Sequence, residues 1–246
     1  HVGSPVGEDA AGGGPGDPHA KLNDLYAGHR SCHQGVLHPV LIWVAPATLG
    51  LRVPPVTNRS SGTVGMMILF VCTGNTCRSA MAEALLGHSL RQLGPDLSVV
   101  ASAGTEGGSS PATDKAVDVL AARGIDLGGH RSRALTAELV VDAELIVAMT
   151  RRHEAAVTAM VPEARSRTFL AGEVARIGSG VGPVGEGGTA AWVRAMDGAR
   201  GGHFTTGRVA DEVSDPYGES LESYVRCADR LDGICATMAR LLVPKH

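Results

Sequence analysis

From Met67 onward, apolar and polar positions alternate between strand-type and helix-type patterns. Ile68-Leu69-Phe70-Val71 is a short unbroken apolar run, as in a strand buried on both faces. Residues 79–93 carry Met81, Leu85, Leu86 and Leu90 at helical spacing and stop before Gly94-Pro95. Leu97 to Ala101 reads as a second strand, closed by Gly104. Ala112 to Ala122 reads as a helix with Val117, Leu120 and Ala121 on one face and Gly124 at its end. Leu135 to Val141 predicts a short helix capped by Thr136, with Glu138 following. Leu145 to Met149 predicts a third strand, and Thr150 to Met160 a helix with Thr150 as cap. Arg167 to Leu170 is a short fourth strand. Residues 178–210 read as a Gly-rich insertion with a helix at Ala190–Ala199. Glu219 to Leu242 is a long amphipathic helix, with Leu221, Tyr224, Val225, Ala228, Leu231, Ile234, Met238 and Leu241 recurring every three or four residues.

Strands alternating with helices imply an α/β three-layer sandwich, a parallel sheet covered on both faces. Ligands bind such sheets beyond the carboxyl ends of the strands. The first strand ends at Val71, so the residues after it are where chemistry is expected.

Residues 1–65 differ from the rest. They hold Gly12-Gly13-Gly14-Pro15, Val53-Pro54-Pro55 and scattered histidines, and too little periodic apolar pattern to fold, so a disordered N-terminal extension is expected. Arg30 precedes an apolar stretch from Val36 to Leu51, as in a signal peptide, but the stretch sits late and is broken by His38, Pro39 and Pro46. It is also too short and interrupted to span a bilayer. Met66-Met67 stands directly before the first clear strand and is a candidate start of the chain. The domain proper is expected over 66–246.

Composition narrows the chemistry. The 246 residues are 43% hydrophobic but only 3% aromatic, so the core must be built from Ala, Val, Leu and Ile. A net charge of −3 gives no reason to expect nucleic acid or an anionic membrane as partner, and any attraction for anions must be local. The five cysteines, Cys32, Cys72, Cys77, Cys227 and Cys235, are odd in number and irregularly spaced. That argues against a disulfide framework and for a reducing, cytoplasmic setting. No close Cys/His doublets of zinc type occur, so the spacing gives no zinc site.

The loop after the first strand reads Cys72-Thr73-Gly74-Asn75-Thr76-Cys77-Arg78-Ser79: a cysteine, five residues, an arginine and a hydroxyl residue. A short loop running from a strand into a helix N-terminus turns several backbone N–H groups into one concavity, which suits a phosphate. Arg78 closes it with a planar fork matched to two phosphate oxygens. Cys72 lies in the same field, where helix dipole and guanidinium favour the thiolate. Ser79 is placed to donate to that thiolate. Gly74 is read as supplying a backbone angle closed to other residues. Asn75 tolerates a left-handed angle and braces the loop from within.

On these residues the sequence resembles the low-molecular-weight protein tyrosine phosphatases. The resembling stretch runs from Ile68 to Glu83, and further matches are Ser102-Ala103-Gly104-Thr105, Ala148-Met149-Thr150 and Asp215-Pro216-Tyr217-Gly218. The resemblance implies a four-stranded parallel sheet, a covalent phosphocysteine intermediate and no metal. Its substrates would be phosphorylated proteins.

Transfer of a phosphoryl group to sulfur leaves an anion that needs a proton, and a held carboxylic acid supplies it before activating the water of the second step. Asp215 fits, because Pro216 restricts its backbone, and the resemblance implies the same role. Asp211 and then Glu212 are the alternatives. Tyr217 is read as a wall for the substrate side chain. Cys77 resembles the family's second cysteine, and its spacing suggests a reversible disulfide with Cys72 under peroxide. Cys227 and Cys235 on the last helix are read as core residues.

The chain departs from the family pattern at Ala80, where proline is common, and at Arg123, where a histidine often stands. Gly218 replaces a second aromatic. A related bacterial branch removes phosphate from arginine and carries threonine where tyrosine-specific members have a bulkier aliphatic residue. Thr76 occupies that position, so phosphotyrosine and phosphoarginine both stand as substrates. Two other classes share the loop. A thioredoxin-linked arsenate reductase needs two further relay cysteines mid-chain, and residues 78–226 contain none. A non-catalytic phosphate-binding module would not need Cys72, Arg78 and Asp215 together.

Overall fold

The first strand, β1 (Met66–Cys72), is buried along its length because its neighbours cover both faces: Ile68, Phe70 and Cys72 enter one hydrophobic core, and Leu69 and Val71 enter another. A computed structural model of the protein describes residues 66–94, 98–200 and 208–243. The extension expected over 1–65, and residues 201–207 of the expected insertion, lie outside the described residues. Three more strands, β2 (Ser98–Gly104), β3 (Leu145–Ala148) and β4 (Thr168–Leu170), complete a parallel sheet of order β2-β1-β3-β4. This is the four-stranded, doubly covered sheet that the alternating pattern implies.

The larger core lies under α1 (Arg78–Leu93), α2 (Asp114–Ala121), α5 (Ala171–Val181), α6 (Gly188–Ala199) and α7 (Leu221–Leu242). The smaller one lies under α3 (Ala137–Asp142) and α4 (Arg151–Met160). Helix α7 packs against α1 and α5 and buries Leu231, Ile234, Met238 and Leu242 among others. Each fully buried side chain of that kind contributes about 2 kcal/mol. An exposed pair on the same helix, Arg226–Glu222, adds only about 0.5 kcal/mol. The apolar stripe therefore docks the helix, as its periodicity predicts. Thr136 and Ser220 cap α3 and α7, accepting hydrogen bonds from the N–H groups of Leu139 and Ser223.

The sequence reading misses α5. Helix α5 begins at Ala171 and runs into the stretch read as a Gly-rich insertion. Its glycines mask it, since glycine disfavours a helix interior. At Gly178 the packing explains the choice: a Cβ there would come within 2.9 Å of both Leu241 and Trp192 side-chain atoms. Helix α6 forms close to the expected place and buries Trp192, Val193 and Met196 in the main core. The segment is thus part of the folded body over its described residues.

Arg200, which follows α6, is buried over the ring of Phe169 with its centre 3.8 Å from the ring centroid. It lies 3.7 Å from both Glu154 and Glu173 and donates to the Thr168 carbonyl. Burial, reinforced by the Glu173 charge and opposed by Arg200, pushes the Glu154 carboxyl up to about 7. A cationic centre shared by α4, α5 and α6 fixes how the three pack, because removing one partner leaves another charge buried alone.

From β1 the chain passes to β2 on one side and then returns to β3 on the other. The carboxyl ends of β1 and β3 therefore flank the crevice where the strand order reverses, the usual ligand site of such sheets. Cys72 ends β1. Opposite, the N–H of Met149 donates to the Val71 carbonyl, and Thr150 leads into α4.

Candidate active site

The loop from Cys72 to Ser79 is held by its carbonyls. Those of Cys72, Thr73 and Thr76 accept from the N–H groups of Thr105, Glu106 and Thr113. The Asn75 carbonyl accepts from His130 Nε2 at 2.8 Å. With the carbonyls drawn outward, the loop amides are left for the inner side, and the N–H of Asn75 donates to Cys72 Sγ at 3.3 Å. Among the described residues Asn75 is the only non-glycine with positive φ, at 55°, a region its short polar side chain tolerates. Gly74, expected to supply such an angle, does not have one. The strained position is one residue later.

Asn75 is fully buried and acts as the brace. Its Nδ2 donates to Ser79 Oγ at 2.9 Å and to Ser102 Oγ at 2.7 Å, and its Oδ1 accepts from the Arg133 N–H at 2.9 Å. Ser102 in turn donates to Glu83. Because Ser79 Oγ accepts from Asn75, its own proton is free for Cys72 Sγ, 2.9 Å away. The sulfur thus receives an N–H and an O–H, both of which stabilise negative charge on it.

A glycine outside the loop is decisive for its shape. A Cβ at Gly104 would sit 2.4 Å from the Thr73 carbonyl oxygen and 3.0 Å from the Asn75 nitrogen, so the end of β2 touches the loop backbone to backbone. Gly104→Ala is expected to destabilise the protein by about 2–3 kcal/mol, the cost of overpacking a rigid contact. Thermal unfolding and kcat/KM on the same preparation check it, since displacement of Thr73 must lower both.

Arg78 is 3% exposed, donates to the Val213 carbonyl at 3.3 Å, and pairs with Asp215. Asp215 reaches that position because the N–H of Val213 donates to the Met149 carbonyl at the end of β3. Its Oδ1 accepts from the Tyr217 N–H and faces Cys77 Sγ at 3.8 Å. Burial, with the neighbouring charges of Cys72 and Asp215, pushes the Cys77 thiol up to about 12.

Cys72, Thr73, Gly74, Thr76, Cys77, Arg78, Asp215 and Tyr217 line one open cleft, together with Glu106, Asp114 and the stretch from Pro111 to Thr113. Tyr217 is 66% exposed at the edge. The side chains of Asn75 and Ser79, expected among the binding groups, lie buried beneath the loop and support it.

The alternative acids lie elsewhere. Asp211 is buried, bonded to Arg176 and to the Arg208 N–H. Burial works against its charge, but those two donors outweigh it and hold the carboxyl below its ordinary value. Glu212 pairs with Arg151 at 2.8 Å. Neither lines the cleft. Cys227 and Cys235 are buried on α7, and burial pushes the Cys227 thiol up to about 12 and that of Cys235 higher still. Raised thiols inside a helix are poorly suited to a disulfide relay.

Sequence reasoning misses His153, His130 and Arg133, and places Ser102 in a matching stretch without its bracing role. His153 is buried, with Nε2 2.9 Å from Thr73 Oγ1 and Nδ1 2.9 Å from Thr150 Oγ1. Each joins the loop from a distant part of the chain. The one local signal is the spacing of His153 three residues after Thr150 at the start of α4.

A family model described as low molecular weight phosphotyrosine protein phosphatase matches residues 67–175. The low molecular weight protein-tyrosine-phosphatase Etp of Escherichia coli K12 is 47% identical over 107 residues, which are 43% of this chain and 69% of that protein. The protein-arginine-phosphatase of Bacillus subtilis 168 is 30% identical over 177 residues, 72% of this chain and 97% of its own. A solved structure of the YwlE arginine phosphatase, a cysteine-to-serine mutant with a phosphorylated active site serine, superposes with a TM-score of 0.55 at 31% identity, covering 71% of this chain and 94% of that one.

Proposed function

The chain belongs to the low molecular weight phosphotyrosine protein phosphatase family, and from that premise we propose that Cys72 is its nucleophile, Arg78 its phosphate clamp and Asp215 its general acid and base. The chain is a cysteine-dependent phosphatase of phosphorylated protein side chains. The observation that carries the assignment is the meeting of Cys72, Arg78 and Asp215 in one cleft, with Ser79 and the Asn75 N–H donating to the sulfur.

In the first step the Cys72 thiolate attacks phosphorus while the bond to the substrate side chain breaks. Asp215 gives its proton to the departing atom. Arg78 and the loop amides hold the equatorial oxygens, whose charge they oppose. In the second step the Asp215 carboxylate takes a proton from water as its oxygen bonds to phosphorus. The S–P bond breaks, releasing inorganic phosphate and restoring the thiolate.

The cleft lining supports phosphoarginine as a substrate: Asp114 and Thr76 both line it, and the Asp114 carboxylate attracts a guanidinium, while those of Glu106 and Asp215 are paired with Arg152 and Arg78. Tyr217 supports the second substrate, phosphotyrosine, as a wall at the edge. Thr76→Ile removes the hydroxyl and adds an apolar surface. It is expected to lower the ratio of kcat/KM for phosphoarginine over phosphotyrosine peptides by about tenfold or more. An unchanged ratio refutes the role of Thr76. Wild-type protein that hydrolyses neither peptide refutes the function itself.

The cytoplasmic setting read from the cysteines remains part of this proposal. Among the described residues no helix is long and apolar enough to cross a membrane.

A further inference from the structure

The crevice between β1 and β3 contains a polar side chain that the two-step reaction leaves without a task. His153, in the first turn of α4, is 2% exposed, yet both of its ring nitrogens are engaged. Nδ1 meets the hydroxyl of Thr150, the residue that caps α4. A capping threonine ordinarily turns its oxygen to the helix amides, but this one makes no such bond. Nε2 meets the hydroxyl of Thr73, the residue after the nucleophile. Thr73 is partly exposed and lines the cleft with Cys72 and Arg78. A three-membered chain, Thr150–His153–Thr73, therefore joins the end of β3 to the catalytic loop.

The ring in this chain is neutral. Burial first, and then the Arg78 guanidinium, oppose a second proton, and the opposing charges of Asp215 and Glu212 do not restore it; the imidazolium is pushed down to about 4. Arg152, beside it on α4, acts in the same direction as Arg78. A neutral imidazole has one donor and one acceptor nitrogen, so the chain has a direction. If Nδ1 carried the proton, Thr73 would donate backwards to Nε2 and turn only lone pairs towards a bound phosphoryl group, which is repulsive. If Nε2 carries it, Thr150 donates to Nδ1, Nε2–H donates to Thr73 Oγ1, and the Thr73 proton is left for the cleft.

We infer that His153 is a positioning residue that holds the Thr73 hydroxyl so that it donates to the phosphoryl oxygens of the substrate. Resting on the reading of the loop as a phosphate cradle, the inference adds one side-chain donor to the backbone amides and Arg78. His153 touches neither substrate nor sulfur; it acts through Thr73. It also ties the aim of that donor to α4, the helix whose next residue, Glu154, faces Arg200.

The test is a double-mutant cycle with a spectroscopic control. Thr73→Val and His153→Phe are each expected to lower kcat/KM for phosphopeptide about tenfold, the worth of one hydrogen bond to a charged group. Thr73→Val/His153→Phe is expected to be no worse than either single variant. His153→Gln, which keeps both a donor and an acceptor, is expected to recover most of the loss. Should His153→Phe fail to fold, the glutamine variant and nitrogen NMR of the wild-type ring still decide. The NMR is expected to find the proton on Nε2 with inorganic phosphate bound. A proton on Nδ1, losses that multiply to about a hundredfold in the double variant, or wild-type kcat/KM in His153→Phe overturns the inference. These results leave the proposed function standing, because it fails only if wild-type protein does not turn over phosphopeptides or if Cys72→Ser does.

Discussion

Cys72→Ser is expected to fold as the wild type does and to lose turnover by a factor on the order of 10⁴ or more, the scale on which removal of a covalent nucleophile acts. The reason lies in the two donors at the sulfur. Ser79 and the Asn75 N–H stabilise an anion they do not create, and a hydroxyl holds its proton far more tightly than a thiol. No base among the cleft residues is placed against that atom. The replaced site is isosteric within a buried position, so unfolding should shift little. Should the hydroxyl capture a phosphoryl group slowly, the ester it forms has a poor leaving oxygen, and the adduct accumulates. Stopped assays with phosphopeptide, followed by intact-mass measurement, check both parts. Retention of wild-type turnover would remove sulfur from the reaction and with it the assignment of the loop.

Asp215→Asn is expected to lower kcat for phosphopeptides by about 10²–10⁴-fold. Asparagine keeps the shape beside Arg78 and the bond from the Tyr217 N–H but can neither give nor take the proton. The pattern across substrates matters more than the size of the loss. An aryl phosphate with an acidic phenol needs no proton to leave, so the first step survives with that substrate. The second step still lacks its base. Rapid mixing should therefore release a burst of phenol equivalent to the enzyme, followed by slow turnover as the phosphocysteine waits for water. Equal losses on both kinds of substrate without a burst would move the acid role away from Asp215. Asp211 would be a poor successor, because Arg176 and the Arg208 amide already hold its charge.

Much of this site was legible as a string. The spacing of Cys72 to Arg78, the glycine and asparagine between them and the strand before them all lie within one loop, and local chemistry constrains them directly. Asp215 was legible because Pro216 marks a rigid turn and because the reaction requires an acid. What brought the acid to the loop was not legible. The bond from Val213 to Met149 at the end of β3 and the reach of Arg78 to Val213 join residues far apart in the chain, the second pair 135 positions apart. His153 escaped notice for the same reason: a histidine near a helix start looks like a surface residue until the fold buries it.

The glycines divide the same way. Gly74, inside the loop, drew a conformational role that its neighbour Asn75 fills. Gly104, outside it, was read only as the close of a strand, yet the loop backbone leaves it no room for a side chain. Helix α5 was hidden because glycine weakens a local helical signal, and what stabilises the helix is burial against α7.

By itself the sequence determined the alternating elements, the sheet class and the chemical character of the loop, because hydrophobic period and loop spacing act over a few residues. The tertiary structure alone decided which distant groups meet the loop. Asp215, His130, His153 and Gly104 arrive there through strand order and helix packing, and those depend on burial summed over the whole chain rather than on any local pattern.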